Sequence, residues 1–199
     1  MVYFKLFGQL YDNKEISILF IILKNPLGLR HYKLHKMHNL LIRTIQSGDN
    51  KALAKIIRDT LTEFKANKPG TVYFDDTTDN LSTVFKMNTG IYFVAEFEGE
   101  ILGGGGIYPT ANLPEGTCEL VKLYLSSKAR GKGLGKLLLE KCIIAAKELG
   151  YKKIYLETMP ELTIAIPMYE KMGFTYLPAA QGNSGHTGCD VWMIKDLEA

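Results

Sequence analysis

Apolar residues crowd the run Leu40–Ile45, which Ser47-Gly48-Asp49 stops, and this pattern reads as a strand. After it Leu53, Ile56, Ile57, Leu61 and Phe64 recur at three- and four-residue steps, which predicts a helix capped by Asp49 or Asn50. Lys68-Pro69-Gly70 closes that region, and a short helix is predicted around Asn80–Phe85. The period then changes: Ile91–Phe97 alternates apolar and polar residues, and Glu98-Gly99 turns the chain into Ile101-Leu102, a hairpin. Another strand, Cys118–Leu125, follows the loop Pro109–Gly116. Leu134, Leu137, Leu138, Cys142, Ala145 and Leu149 mark a long helix that Gly150 ends. Lys153–Leu156 reads as a strand, Ala165–Met172 as a helix ended by Gly173, and Cys189–Ile194 as the last strand.

Strands and helices in this order predict an α/β domain with a mixed sheet. Hairpins force antiparallel neighbours, whereas the crossover through the long helix makes Cys118–Leu125 and Lys153–Leu156 a parallel pair. A ligand is expected at the carboxyl end of such strands, where the long helix begins.

A length of 199 residues suits one domain, and 46% hydrophobic with 23% charged residues is ordinary for a folded globular chain. Three widely spaced cysteines, Cys118, Cys142 and Cys189, without a Cys-x-x-Cys pair argue against a disulfide scaffold or a structural zinc site. A cytoplasmic setting fits them best. The net charge of +3 is unevenly spread. Residues 1–36 carry six basic residues against Asp12 and Glu15, hence +4, while residues 37–199 carry 18 basic and 19 acidic residues, hence −1. The body of the chain therefore has no general electrostatic reason to coat nucleic acid. Residues 1–36 also lack Ala and Thr. Their apolar run Ile16–Leu23 is too short to span a bilayer and lacks the flanks of a secretory signal, so no membrane partner is expected. The expectation is an N-terminal extension of residues 1–36, or a start placed upstream of Met37, followed by one domain over 37–199.

The most unusual residues lie between the parallel strand and the long helix: Ser126-Ser127-Lys128-Ala129-Arg130-Gly131-Lys132-Gly133-Leu134-Gly135-Lys136. Glycines at 131, 133 and 135 clear side chains from the backbone, the helix start directs free N–H groups outward, and Lys128, Arg130, Lys132 and Lys136 add positive charge. Such a segment suits a pyrophosphate. It is neither a P-loop, which needs Gly-x-x-x-x-Gly-Lys-(Ser/Thr), nor the Gly-x-Gly-x-x-Gly of a dinucleotide fold.

Arg130-x-x-Gly133-x-Gly135 resembles the (Gln/Arg)-x-x-Gly-x-(Gly/Ala) acetyl-CoA signature of the GNAT family of N-acetyltransferases. Glu119–Leu125 is similar to the strand before that signature, and Met168-Tyr169-Glu170-Lys171-Met172-Gly173-Phe174 to the family's LYEKLGF segment, in the same order and spacing. The resemblance covers roughly Asn39 to the C-terminus. It implies one GNAT-type domain, its sheet mostly antiparallel and its parallel pair splayed. The implied activity is transfer of an acetyl group from acetyl-CoA to a primary amine by direct attack in a ternary complex. It further implies that the Arg130–Lys136 segment, including Gly131, Lys132, Gly133, Leu134 and Gly135, holds the pyrophosphate. Amides near Leu123 and Leu125 would take the pantetheine arm and polarise the thioester carbonyl. The acceptor is a small-molecule or peptide amine, no metal is required, and a homodimer is left open.

The resemblance also supplies a base and an acid. An ammonium must lose a proton before it attacks, and Glu119 stands where some family members carry a strand glutamate base; the alternative is a solvent-facing residue paired with Lys122. Tyr169 matches the family's general acid for the leaving thiolate, the alternative being a packed aromatic. Its neighbour Pro167 requires the helix to begin there, which places Tyr169 in the first turn. Gly103–Gly106 reads as a structural run that lets a strand bend, and His186-x-x-Cys189 is too sparse for a metal site. His186 either contacts the acceptor or caps the last strand. A second function class, a non-catalytic acyl-CoA sensor, would need the glycine cradle without Glu119 and Tyr169.

Overall fold

The computed structural model describes residues 39–198, and the expected extension over residues 1–36, with its apolar run Ile16–Leu23, lies outside them. Seven strands form one sheet: β1 (Leu40–Thr44), β2 (Ile91–Phe97), β3 (Glu100–Tyr108), β4 (Thr117–Leu125), β5 (Lys153–Thr158), β6 (Thr175–Leu177) and β7 (Val191–Asp196). The helices are α1 (Asn50–Glu63), α2 (Leu81–Val84), α3 (Leu134–Glu148) and α4 (Ala165–Lys171). The strand order is β1-β2-β3-β4-β5-β7-β6, every pair antiparallel except β4 and β5. Strand β6 was not expected. Its three residues are too few for a periodic signal, and pairing with β7 draws Thr175–Leu177 into the sheet.

Alternation along β2 assigns helices to both faces of the sheet. Tyr92 and Val94 pack with Leu53, Ile57 and Leu61 of α1, while Phe93 and Ala95 pack with Leu134 and Leu138 of α3. The second face continues into the largest cluster, where Leu139 and Cys142 of α3 meet Ile107, Cys118, Ile154 and Met193 of the sheet. Asp49 stands at the N-cap of α1 without a side-chain cap bond, because its carboxylate instead accepts from Arg43 and from the Gln46 N–H.

Two irregularities of β4 position the site. Opposite β3, Gly104 pairs with Tyr124 but Gly106 with Val121, so β4 carries one extra residue there, and Lys122 adopts φ 50°. This is a β-bulge. On its other edge the ladder to β5 ends at Leu120↔Leu156, although the strands run on to Leu125 and Thr158. Beyond that point the parallel pair separates.

Candidate active site

The separation opens a cavity of about 610 Å³ lined by Leu123 and Leu125 of β4, by Gly131, Gly133 and Lys136, and by Tyr169 of α4. At its glycine end no N–H from Gly131 to Lys136 has an acceptor among the described residues; the first amide of this helix to be bonded is that of Leu137, to the Gly133 carbonyl at 3.1 Å. Gly133 is the N-cap of α3 at φ 81°, a conformation that favours glycine. A Cβ built on Gly131 or Gly133 would meet nothing within 4 Å. Six unbonded donors at a helix start, with bare backbone beside them, suit a phosphate-rich ligand.

Not every residue of the signature faces this cavity. Leu134 is buried against Ala129 and Leu138, and Lys132 is exposed away from the lining; only their amides belong to the cradle. Gly135 lines the cavity but also sits against protein, its Cβ position 3.4 Å from Met168 Sδ and 3.5 Å from Leu125 Cδ1. Arg130 lines the cavity too, with Nη1 donating to Glu63 Oε1 at 2.9 Å and its guanidinium 5.2 Å from the centre of the Phe64 ring. That pairing clamps the end of α1 beside the cradle.

A second cavity, of about 500 Å³, lies between the segment Gly70–Phe85, the β3–β4 loop and residues 183–186. The two cavities share Thr71, Glu119, Val121, Lys122 and His186. Glu119 is only 3% exposed and accepts a hydrogen bond from the Thr110 hydroxyl. Burial pushes its carboxyl up to about 7 despite that bond, and the nearby Glu157 carboxylate adds to the rise. Glu119 is thus not the solvent-facing partner of Lys122. Lys122, its side chain 7% exposed, bonds Asp75 at 2.6 Å instead. The His186 imidazole, 3.5 Å away, and the Lys122 ammonium hold the Asp75 carboxyl well below the usual range.

Glu157, near the end of β5, carried no signal in the sequence. Its oxygens accept from the Tyr155 hydroxyl at 2.8 Å and the Ser184 hydroxyl at 2.7 Å, which fixes it beside Glu119. Glu119, Glu157 and His186 each bring one oxygen or nitrogen to within 4.8 Å of the other two. Such a group suits a cation, and a substrate ammonium is one. His186 therefore faces the junction of the cavities beside the two glutamates, and burial pushes the Cys189 thiol up to about 12.

Tyr169 is buried, packs on Phe174 at 5.8 Å between ring centres, and lines the first cavity. Burial raises its phenol above the ordinary pKa of 10, at which it is already protonated at neutral pH. It is the fifth residue of α4, just past the first turn where it was expected, because the helix opens at Ala165, two residues before Pro167, and accepts that proline where an N–H has no helical partner to lose.

Comparison with known proteins converges on one family. The profile described as Acetyltransferase (GNAT) family matches residues 51–174. An Escherichia coli K12 protein named as an uncharacterized N-acetyltransferase, YjgM, is 40% identical over 159 residues, covering 79% of this chain and 95% of that one. A GNAT-family acetyltransferase from Staphylococcus aureus Mu50 superposes with a TM-score of 0.70 at 21% identity, covering 79% of this chain and 99% of its own. The PaiA N-acetyltransferase of Thermoplasma acidophilum, solved in complex with coenzyme A, superposes at 0.62 with 18% identity over 79% and 98% of the two chains. Among the described residues no helix is long and apolar enough to cross a membrane.

Proposed function

The chain belongs to the acetyltransferase (GNAT) family and is an acyltransferase; from that premise we propose that it moves the acetyl group of acetyl-CoA onto a primary amine by direct attack in a ternary complex. The observation that carries this reading is the meeting of two cavities at one buried carboxyl poised near neutrality. Acetyl-CoA enters as a substrate that supplies an activated acyl carbon on a thiol leaving group. The amides of Gly131–Lys136 hold its pyrophosphate, and the separated edge of β4 around Leu123 and Leu125 holds the pantetheine arm and donates to the thioester oxygen.

The acceptor reaches the junction from the second cavity as an ammonium. Glu119 takes a proton from it, directly or through one water, and a group titrating near 7 is well matched to that task at neutral pH. The freed nitrogen pair attacks the thioester carbon, the C–S bond breaks with its electrons going to sulfur, Tyr169 gives the departing sulfur a proton, and the second proton shed by the acylated nitrogen restores Tyr169 by way of solvent. We assign this activity to residues 37–199 and a cytoplasmic setting; a chain starting at Met37 is expected to retain it.

Two measurements test the reading. Calorimetry should detect acetyl-CoA binding, and incubation with a panel of amines should release free CoA thiol. Binding without thiol release from any amine would favour an acyl-CoA sensor, and absence of binding would remove the cradle assignment.

A further inference from the structure

Three aromatic rings from separate segments converge on the second cavity: Phe74, Phe85 of the stretch after α2, and Tyr108 at the end of β3. Phe85 stands edge-on to Tyr108 with ring centres 5.8 Å apart and leans on Tyr92 at 5.2 Å, so this wall is preformed. Phe74 lies at the cavity with its side chain largely in solvent, 60% exposed, an aromatic surface with room to be covered. The carboxylates lining the cavity are Asp75, already committed to Lys122 and His186, and Glu119 at the junction. The cavity therefore offers one anionic end, where an amine would be deprotonated, and an aromatic wall of Phe74, Phe85 and Tyr108 facing neutral polar groups such as Thr77 and Asn183.

On the reading that Glu119 serves as the base of an acetyl transfer, we propose that the acceptor is a small primary amine carrying an aromatic or bulky apolar group. Its ammonium faces Glu119 and Glu157 while its ring stacks among Phe74, Phe85 and Tyr108. A polyamine, with a cation at each end, would find a carboxylate for one end and rings for the other. The apolar group is what the cavity recognises, and amines with or without a neighbouring carboxylate share it.

The test compares 2-phenylethylamine, L-phenylalanine, ethylamine and putrescine by CoA-thiol release and by calorimetric titration of each amine into the full protein loaded with CoA. Burying a phenyl group predicts that kcat/KM for at least one aromatic amine exceeds that for ethylamine and putrescine by about 10- to 100-fold. Activity of 2-phenylethylamine alone, of L-phenylalanine alone, or of both decides whether a carboxylate is disfavoured, required or ignored, and each supports the class. Phe74→Ala, at an exposed ring, should raise KM for the active aromatic amine several-fold and leave KM for acetyl-CoA unchanged, while Phe74→Leu should lose less. Putrescine or ethylamine turning over as well as the aromatic amines would overturn the inference and leave acetyl transfer standing. Aromatic amines binding more tightly than ethylamine without any thiol release would overturn acetyl transfer, and with it the acceptor role, while keeping the cavity's preference for an aromatic amine; their failure both to bind and to react would overturn the inference.

Discussion

Two glycine-rich stretches border β4, and they do opposite things. Along Gly103–Gly106 of β3 the space beside each glycine is already taken: a Cβ on Gly103 would lie 2.2 Å from the Tyr124 carbonyl oxygen, on Gly104 2.5 Å from the Phe93 oxygen, and on Gly105 2.6 Å from Leu123 Cδ1. Along Gly131 and Gly133 the same space is empty to 4 Å. The first stretch is glycine so that neighbouring strands and the Tyr92 ring can close on it, and the bulge of β4 sits against it. The second holds positive φ, 74° at Gly131 and 81° at Gly133, and leaves its backbone open to the ligand proposed above. Glycine content alone does not separate these roles; what occupies the missing side chain's place does.

The severest way to break this contrast is Gly103→Val. Gly103 has φ 149°, and its new side chain would strike backbone that cannot move without breaking the β3–β4 register. Overpacking and backbone strain of about 1–3 kcal/mol each sum to about 4 kcal/mol. The melting temperature should fall by about 8–16 °C for a chain of this size. A variant melting within about 2 °C of the original would show that the run is not a packing device.

Between the stretches lies Glu119, on the strand both serve. Glu119→Gln keeps the Thr110 contact but cannot take a proton, so turnover should drop about 10²–10⁴-fold with acetyl-CoA affinity unchanged. In the original protein kcat/KM should climb with pH through about 7, and the substitution should remove that rise. Stability moves the other way. A carboxyl whose folded pKa lies above its ordinary 4.5 contributes most below that value and loses its contribution as pH rises through about 7. Melting curves of Glu119→Gln should therefore gain on the original protein between pH 5 and pH 8. Unchanged turnover would take Glu119 out of the mechanism.

Gly133→Leu addresses the open stretch. It fills the empty space and forces a branched residue to φ 81°, which costs about 1–2 kcal/mol and a few degrees of melting temperature. Acetyl-CoA affinity should fall by about 10²-fold, the worth of one or two charge-assisted hydrogen bonds. Retained affinity in calorimetry would sink the pyrophosphate assignment.

How far each region could be read in advance follows from where its information resides. The long helix, the β2–β3 hairpin and the parallel pair are set by local periodicity and by Glu98-Gly99 and Gly150, all visible along the chain. The cradle is equally local, since Arg130–Lys136 is contiguous, and Glu119 and Tyr169 were reached through motif resemblance. Strand β6 escaped because its pairing with β7, not its own pattern, makes it a strand. On the proposed acceptor side only Glu119 and His186 were named in advance. Asp75, Thr110, Lys122 and Glu157 are far apart in sequence, and ordinary as residues until the fold gathers them. Lys122 shows the limit well: along the strand it was only the alternative partner for Glu119, whereas in the fold, at the bulge, it pairs with Asp75.

Gly135 lies between the two kinds of glycine and gives the finest distinction. It lines the cavity like Gly133, yet its Cβ position is already at ordinary van der Waals distance from the flexible Met168 side chain and from Leu125. Alanine there would complete a contact without displacing backbone, and it replaces a poor helix former in the first turn of α3. Gly135→Ala should leave the melting temperature unchanged or raise it by about 1–3 °C, and should alter acetyl-CoA affinity by less than about threefold. Tolerance of alanine fits the Gly/Ala choice that the resembling signature allows at this position. A loss of affinity as large as that of Gly133→Leu would instead place the ligand against the Gly135 backbone and move this residue wholly into the cradle.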